Sequence, residues 1–381
     1  MKFKIKKETF LDGLSKVQGL TGKKSNLAVT SNVLLSIEQS AEQSTLSLAA
    51  TDLEIAFKGN YKAEIEQEGA TLVPSRKLYE IIRNFPSDTI TVKELENKWI
   101  QITNKELEYN IVGMETSDFP DLPDIEGVPL FKIDADILKE MIEKTIYAVS
   151  TDEGRTQLSG IYFETVSEDD NRKIRMVSTD GHRLSKIDSL YRQAKEGDFT
   201  LEKGVIIPKA GVVEILKLLE GGDGVYIGCK GSNYVVKKGD EYLIVRLIEG
   251  EFPDYKMVIP KESHSELKVN RDTFIAMLKR MSILASDRYK GVHFKISKDR
   301  IESSISNPEV GESREVIAAE FIGDELNIGF NPRYLIETLN AMKSDEIIIK
   351  FTDEINPSVI EGKDDKGFLS LIMPMRIQNG S

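Results

Sequence analysis

The stretch FKIKKETFLDGLSKVQGL, residues 3–20, decides the fold because two later parts of the chain repeat its pattern. It begins as a short alternating strand and continues into an amphipathic helix. The same order appears in FKIDADILKEMIEKTIY at residues 131–147 and in LKVNRDTFIAMLKRMSIL at residues 267–284. Apolar residues recur every three or four positions in the second copy, which is typical of a helix with one buried face. Copies spaced more than 120 residues apart indicate repeated domains and not the short units of a solenoid.

Later features of each copy also recur in the same order. ATD at residues 50–52 is matched by STD at residues 178–180 and, weakly, by ISN at residues 305–307. A second predicted helix follows in each copy and opens at a proline, which is tolerated in the first turn of a helix. We therefore predict an α+β protein of three repeated domains, each with two helices packed on antiparallel sheets. The predicted domains are residues 1–125, 126–259 and 260–377, followed by a tail at residues 378–381.

The composition excludes several classes of protein. Across 381 residues, 51 Lys and Arg stand against 63 Asp and Glu, so a nucleic-acid site must be a local exception on an acidic chain. One cysteine and three widely separated histidines argue against a disulfide framework or a metal centre, and no cofactor is expected. The chain has no signal peptide and no apolar run long enough to span a membrane. These features predict a soluble cytoplasmic protein without a membrane partner.

Positive charge is concentrated in the six predicted helices, residues 7–20, 75–85, 136–147, 209–220, 271–284 and 332–343. They carry fourteen Lys and Arg against ten Asp and Glu, although the net charge of the whole chain is −12. One interpretation is a helical surface that faces a polyanion without reading its sequence. The other is that helices simply tolerate basic residues. The helix at residues 136–147, with a net charge of −1, does not support the first interpretation.

The segment TDGHR at residues 179–183 carries polar groups that a hydrolase could use. In that interpretation His182 is a general base oriented by Asp180. The matching segment of the first copy contains no histidine, and no nucleophile motif accompanies it. A turn in which Asp180 accepts hydrogen bonds from nearby amides and Gly181 adopts a positive φ is the favoured interpretation.

The segment LIMPMRI at residues 371–377 is almost entirely apolar but is interrupted by Pro374. A purely structural interpretation makes it an edge strand buried against its own domain. A functional interpretation emphasises Met373 and Met375, because flexible thioethers suit a surface that repacks around several partners. From these residues alone, the structural interpretation is the favoured one.

The threefold repeat, TDGHRL at residues 179–184, FPDY at 252–255 and MPMRI at 373–377 together resemble the bacterial DNA polymerase III β subunit family, the sliding clamps. The resemblance covers residues 1–377. It implies a head-to-tail homodimeric ring whose helices surround double-stranded DNA, and a processivity factor that is not an enzyme. Such a ring tethers the replicative polymerase and raises its effective concentration at the primer end. The implied partners are the DNA polymerase III α subunit, the clamp loader, translesion polymerases and mismatch-repair proteins, which bind through short linear peptides.

The resemblance also implies roles for individual residues. The partner-peptide cleft would include Leu158, Thr179, Gly181, His182, Arg183, Leu184, Pro253, Val258, Tyr334, Ile355, Met373, Pro374, Met375 and Arg376. The DNA-binding residues would be Lys24, Arg76, Arg83, Lys209 and Lys217. Ile283 and Leu284 would pack in the dimer interface. Met257 and Pro357 depart from the family's usual residues at the cleft.

Two alternatives of other classes remain at this point. One is a hydrolase that uses Asp180 and His182. The other is a protein-interaction scaffold that never encircles DNA.

Overall fold

A computed structural model describes residues 1–21, 28–39, 44–104, 106–168, 171–190, 201, 203–221, 224–286 and 290–375. The α-helices within these ranges are α1 (Lys7–Thr21), α2 (Ser75–Arg83), α3 (Ala135–Glu143), α4 (Lys209–Leu219), α5 (Arg271–Ser282) and α6 (Pro332–Asn340). Each pair of helices belongs to one copy of the repeat.

The strands form antiparallel sheets. In the first copy they are β1 (Lys2–Lys6), β2 (Asn32–Gln39), β3 (Ser44–Thr51), β4 (Ile55–Lys62), β5 (Glu64–Gln67), β6 (Gly69–Pro74), β7 (Thr89–Glu94), β8 (Trp99–Thr103) and β9 (Glu108–Val112). In the second they are β10 (Phe131–Ile133), β11 (Gly160–Glu168), β12 (Asn171–Thr179), β13 (Arg183–Leu190), β14 (Val205–Pro208), β15 (Val225–Lys230), β16 (Asn233–Lys238) and β17 (Glu241–Arg246). In the third they are β18 (Ser265–Asn270), β19 (Val292–Ser297), β20 (Arg300–Asn307), β21 (Gly311–Ala318), β22 (Glu320–Ile322), β23 (Leu326–Phe330), β24 (Glu346–Phe351), β25 (Ser358–Gly362) and β26 (Phe368–Ile372).

The chain divides into two compact units. The first unit comprises Met1–Asp136 and Ala210–Leu247, and the second comprises Ile137–Lys209 and Ile248–Ser381. The first unit contains a sheet in the order β5-β1-β7-β8-β9 and a sheet in the order β10-β15-β16-β17-β4-β3-β2-β6. The second contains a sheet in the order β14-β11-β12-β13-β26-β25-β24-β18-β22 and a sheet in the order β21-β20-β19-β23. Because each large sheet combines strands of two copies, the units do not coincide with the predicted domains, and the domain boundaries stay a prediction.

The two large sheets are assembled in the same way. In the first unit, β17 of the second copy pairs with β4 of the first, with Ile244 opposite Ala56. In the second unit, β26 of the third copy pairs with β13 of the second, with Leu371 opposite Leu184. Ala56 and Leu184 are equivalent positions of the repeat, so the same register occurs twice. Strands β9 and β21, which hold the equivalent places in the two smaller sheets, each end a sheet.

The helices pack on these sheets through apolar residues three or four positions apart. In α5 the buried side chains are Phe274, Ile275, Met277, Leu278 and Met281. Strand β20 alternates, with Ile301, Ser303, Ile305 and Asn307 buried. These periods of about 3.6 and 2 are those expected for a helix and a strand with one buried face. The prediction of an α+β chain built from three repeats is confirmed.

The matched TD segments have the same hydrogen bonds. The hydroxyl of Thr51 accepts from the backbone N–H of Leu53, and the hydroxyl of Thr179 accepts from that of Gly181. Both threonine hydroxyls donate to the carbonyl oxygen four residues later. The middle residues are left-handed, with φ of 79° at Leu53 and 88° at Gly181. Leucine is strained in this region whereas glycine is not, which shows that the turn is imposed by its threonine and aspartate.

Two local expectations were wrong. Helix α3 ends at Glu143, before the predicted end at residue 147, because the Thr145 hydroxyl bonds back to the carbonyls of Met141 and Ile142 and a 3₁₀ turn follows. Strand β26 is not an edge strand, since it lies between β13 and β25. It ends at Ile372, so Pro374 interrupts no pairing inside the sheet.

Candidate functional site

The polar turn between β12 and β13 forms one wall of a pocket in the second unit. The Asp180 carboxylate accepts hydrogen bonds from the backbone N–H groups of His182 and Arg183, at 2.9 and 3.0 Å. Its second oxygen accepts from the Arg183 Nε at 3.0 Å. The favoured turn interpretation is thus confirmed, and Asp180 is engaged in holding the turn.

The floor of this pocket is a buried apolar cluster. Leu184 and Leu371 are opposite each other in the sheet and pack with Val177, Val359 and Tyr255. Phe252 is stacked on Tyr162, with ring centroids 4.9 Å apart. The FPDY segment therefore attaches the loop after β17 to the sheet.

The pocket has a volume of about 190 Å³, and its other residues come from three further segments. Its lining comprises Thr179, Gly181, His182, Arg183, Leu184, Pro253, Asp254, Tyr255, Val258, Pro357, Leu371 and Met373. We call it the apolar pocket. It is smaller than a site for a drug-sized molecule, and its size suits side chains of a longer ligand. Val258, which lines the pocket, is 50% exposed, and its sequence neighbour Met257 is 83% exposed.

A second pocket of about 610 Å³ adjoins the same turn. It shares His182 and Arg183 with the apolar pocket and is otherwise lined by Tyr147, Val149, Ser150, Thr151, Asp152, Arg155, Asp180, Lys209, Arg333, Tyr334 and Glu337. We call it the charged pocket. Its charged groups of both signs suit the polar parts of a ligand whose apolar side chains occupy the first pocket.

Arg183 and His182 stand between the two pockets. The buried Arg183 guanidinium lies 4.5 Å from the centre of the Tyr334 ring, and the exposed His182 ring is stacked on the same tyrosine at 6.4 Å. Arg183 Nη1 lies 2.6 Å from the Glu337 carboxylate. Burial opposes ionisation of Glu337, but the hydrogen bond from Arg333 and the nearby positive charge of Arg183 outweigh it and hold the pKa of that carboxyl below its usual value.

Met373, just after β26, closes one side of the apolar pocket. The backbone N–H of Met373 donates to the His182 carbonyl at 2.9 Å, and that of Met375 donates to the Gly329 carbonyl at 2.8 Å. Pro374 lies between them and has no N–H to donate. The methionine side chains are exposed, as a surface that repacks around ligands requires.

A network of polar groups anchors the FPDY loop from below. The Tyr255 hydroxyl donates to Glu164 and accepts from Arg175 Nη1 at 3.0 Å, and Arg175 is bound to Asp188 at 2.6 and 2.9 Å. Burial raises the pKa of Tyr255 well above its usual value. Sequence reasoning missed this network, because only the tyrosine belongs to a recognisable motif.

In the first copy, other apolar side chains pack on the equivalent floor. Ala56 and Ile244 pack with Val128, and Leu122 and Ile125 of the segment between β9 and β10 also pack there. In the segment between β17 and β18, Met257 and Val258 are instead exposed. The first unit has a pocket of about 560 Å³ lined by Leu122, Ile125 and Ile244, but the TD turn at residues 51–54 does not line it.

Most of the predicted cleft residues come together. Eight line the apolar pocket, namely Thr179, Gly181, His182, Arg183, Leu184, Pro253, Val258 and Met373. Tyr334 lines the charged pocket. Leu158, Ile355, Pro374 and Met375 line neither, and Arg376 lies outside the described residues. Asp254, Tyr255 and Leu371 were not predicted; for Leu371, its alternation with Leu369 was the available signal.

The predicted DNA-binding residues lie on helices. Arg76 and Arg83 belong to α2, and Lys209 and Lys217 to α4, whereas Lys24 lies outside the described residues. Lys217 is bound to both Glu214 oxygens at 2.8 Å. Arg76 is highly exposed and pairs with Glu80 at 3.2 Å. Because exposed ion pairs are weak, a phosphate group can replace Glu80 as the partner of Arg76 at little cost.

The predicted interface residues follow α5. Ile283 is 77% exposed and Leu284 is partly buried. Across the described ranges, no three His, Cys, Asp or Glu side chains are grouped as a metal site. No described helix has the length and apolarity to span a membrane.

Three family models cover nearly the whole chain. They are the N-terminal domain of the DNA polymerase III beta subunit at residues 1–123, its central domain at 132–254 and its C-terminal domain at 256–376. The beta sliding clamp of Escherichia coli strain K12 is 30% identical over 379 residues, which cover 99% of this chain and 100% of the relative. That of Proteus mirabilis is 31% identical over 380 residues, with the same coverage.

Solved structures of sliding clamps have the same fold as this chain. A sliding clamp, DNA polymerase III subunit beta, from Bartonella birtlesii bound to griselimycin superposes with a TM-score of 0.91 and 31% identity, covering 99% of this chain and 100% of that one. The DNA polymerase sliding clamp of Caulobacter crescentus gives a TM-score of 0.91 and 28% identity with the same coverage.

These matches support neither the hydrolase nor the scaffold. They assign the chain a non-catalytic role as a DNA sliding clamp, whose partners are DNA, a DNA polymerase and a second copy of itself. The resemblance found in the threefold repeat, TDGHRL, FPDY and MPMRI is confirmed, and the chain belongs to the DNA polymerase III beta subunit family of sliding clamps.

Proposed function

We propose that the apolar pocket and the charged pocket form one cleft that binds short linear peptides of replication and repair proteins. The partners are the DNA polymerase III α subunit, the clamp loader, translesion polymerases and mismatch-repair proteins. The observation that carries the proposal is a buried apolar floor, Leu184 and Leu371, open to solvent between exposed Met373 and Val258. An open apolar site of this kind favours the anchor side chains of a peptide.

Peptide preference depends on residues at the mouth of the cleft. Met257 and Pro357 supply apolar surface where the family more often has an arginine and a small polar residue. Ile355, which is exposed, adds to it. We therefore expect this chain to favour peptides with apolar residues next to the anchor.

The homodimer interface is proposed from the repeat. Strand β9 of one protomer pairs with β21 of its partner, as β17 pairs with β4 and β26 with β13 within the chain. Both β9 and β21 end their sheets, and four of the five β9 residues are exposed. Ile283 and Leu284 pack beside this pairing. Two such contacts close a ring of two chains with six similar domains.

We further propose that DNA passes through this ring and contacts Lys24, Arg76, Arg83, Lys209 and Lys217. Their contacts are with phosphates, which carry no sequence information and permit sliding. The three-domain division, residues 1–125, 126–259 and 260–377, and action in the cytoplasm belong to the same proposal.

Griselimycin, which is bound to the Bartonella clamp, provides a probe of the cleft. We expect it to bind this chain, and Met373→Ala to weaken binding about five- to ten-fold because apolar contact area is lost. Met114→Ala is a matched control, since both methionines are 40% exposed and Met114 lies in the first unit. Equal titration curves for the two variants would remove Met373 and the apolar pocket from the proposal.

A further inference from the structure

We infer that Arg183 is a positioning residue of the cleft and not a contact for the peptide, and that Glu337 is its essential partner. This inference rests on the proposed peptide cleft. It assigns a role to Glu337, a residue of helix α6 outside the predicted site, and it changes the role expected for Arg183.

Each nitrogen of the Arg183 guanidinium lies close to an oxygen atom of the protein. Nε binds Asp180 at 3.0 Å, Nη1 lies 2.6 Å from Glu337 and Nη2 donates to the Tyr147 carbonyl at 2.6 Å. Nε and Nη2 donate hydrogen bonds, whereas Nη1 is buried, makes no hydrogen bond within the described residues and is held near Glu337 by opposite charge. The side chain is only 6% exposed, which leaves little of it for a ligand.

The same guanidinium also makes cation–π contacts with two tyrosine rings. Its centre lies 4.5 Å from the Tyr334 ring centroid and 5.3 Å from that of Tyr147. Such contacts are strongest for a desolvated cation. Arg183 packs on the Tyr334 ring, and His182 is stacked on the same ring. A shift of Arg183 would therefore move the side chains that separate the two pockets.

Glu337 connects this wall to the third copy of the repeat. One carboxylate oxygen binds Arg183, and the other accepts from Arg333 at 2.7 Å within α6. Loss of the Glu337 charge would leave a buried guanidinium without one of its two anions, which is costly in a site removed from water. We expect the guanidinium, Tyr334 and His182 then to shift together.

Two variants test the inference. Glu337→Gln keeps the shape but not the charge, and Arg183→Lys keeps the charge but not the planar fork. Each is expected to weaken griselimycin binding at least about ten-fold. Glu80→Gln is the matched control, because Glu80 also pairs with two basic residues on a helix but lies in the first unit.

A spectroscopic measurement separates positioning from general destabilisation. We expect the His182 ring resonances of the ligand-free protein, assigned with His182→Asn, to move in Glu337→Gln while those of His264 and His293 stay in place. Thermal unfolding of each variant checks that it is folded. Unchanged His182 resonances, or weakened binding in Arg183→Lys with normal binding in Glu337→Gln, would overturn the inference. Failure of the unmodified chain to bind griselimycin would instead count against the proposed cleft, since the resonance test needs no ligand.

Discussion

The hydroxyl group of Tyr255 bridges two charged side chains beneath the cleft. It donates to Glu164 and accepts from Arg175. Tyr255→Phe keeps the ring in the apolar cluster but removes both bonds. We expect the free energy of unfolding to fall by about 1–3 kcal/mol, measured by urea denaturation, because buried charged groups lose a partner.

Tyr226→Phe, at an exposed tyrosine of β15, is the control and is expected to change stability by less than about 0.5 kcal/mol. A Tyr255→Phe protein as stable as the Tyr226→Phe protein would mean that the bridge contributes nothing.

The local structure of single residues could be predicted where a motif repeats. Contacts between residues far apart in the sequence could not. The turn at Gly181 could be predicted because Thr51 and Asp52 recur 128 residues later as Thr179 and Asp180. Glu164 and Tyr255 are 91 residues apart, and no local pattern connects them. Their contact follows from sheet pairing, which sequence periodicity does not determine.

A buried ion pair attaches Lys144, the residue after helix α3, to the turn between β25 and β26. Lys144 Nζ lies 2.7 Å from Asp365, which also accepts from the Ser344 backbone N–H at 3.0 Å and from its hydroxyl at 2.6 Å. Burial opposes the charged form of Asp365, but hydrogen bonds from Lys144 and Ser344 outweigh it and lower the pKa to about 2.

This pair makes stability depend on pH in acid. Because the folded pKa is lowered, the contribution is complete above the unfolded pKa of about 4 and is lost as the pH falls toward 2. We expect Asp365→Asn to lower the free energy of unfolding by about 3 kcal/mol at pH 7, and the difference to shrink between pH 4 and pH 2.

Chemical denaturation at several pH values measures this difference, with Asp299→Asn in an exposed turn as the control. A constant difference from pH 7 to pH 2 would show that the lost stability has a cause other than the charge of Asp365.

Whole elements were predicted well in number and order, and less well at their ends. All six helices occur, but α3 ends early because Thr145 bonds back to the helix. The place of β26 within its sheet depends on pairing with β13, about 185 residues earlier in the chain. An alternating pattern identifies a strand and leaves its neighbours undetermined.

At the scale of the whole molecule, exposed Ile283 is expected to hold two copies together. Ile283→Glu places a charge in the proposed interface and should convert the dimer to a monomer in sedimentation velocity at micromolar concentration. Ile322→Glu, at an exposed isoleucine of β22, should stay dimeric. Dimers of equal stability in both variants would exclude Ile283 from the interface.

Binding to DNA should depend on the basic helices. Arg76→Glu together with Lys209→Glu is expected to weaken binding to double-stranded DNA at low salt and to reduce the slope of log affinity against log salt by about two. Lys295→Glu with Lys350→Glu, two changes on strands of the second unit, is the control. The measurement is fluorescence anisotropy at 50 and 200 mM salt, and equal slopes for the two proteins would contradict the assignment.

The open ends of the two small sheets have a consequence for a newly made chain. Strands β9 and β21 each offer backbone N–H and C=O groups on one side, and extended segments of other proteins can pair with such groups. In the proposed dimer the second copy covers both edges, so a monomer is expected to be prone to aggregation until it dimerises. Dimerisation is slower at lower protein concentration, so weak expression lengthens the time during which a monomer can aggregate.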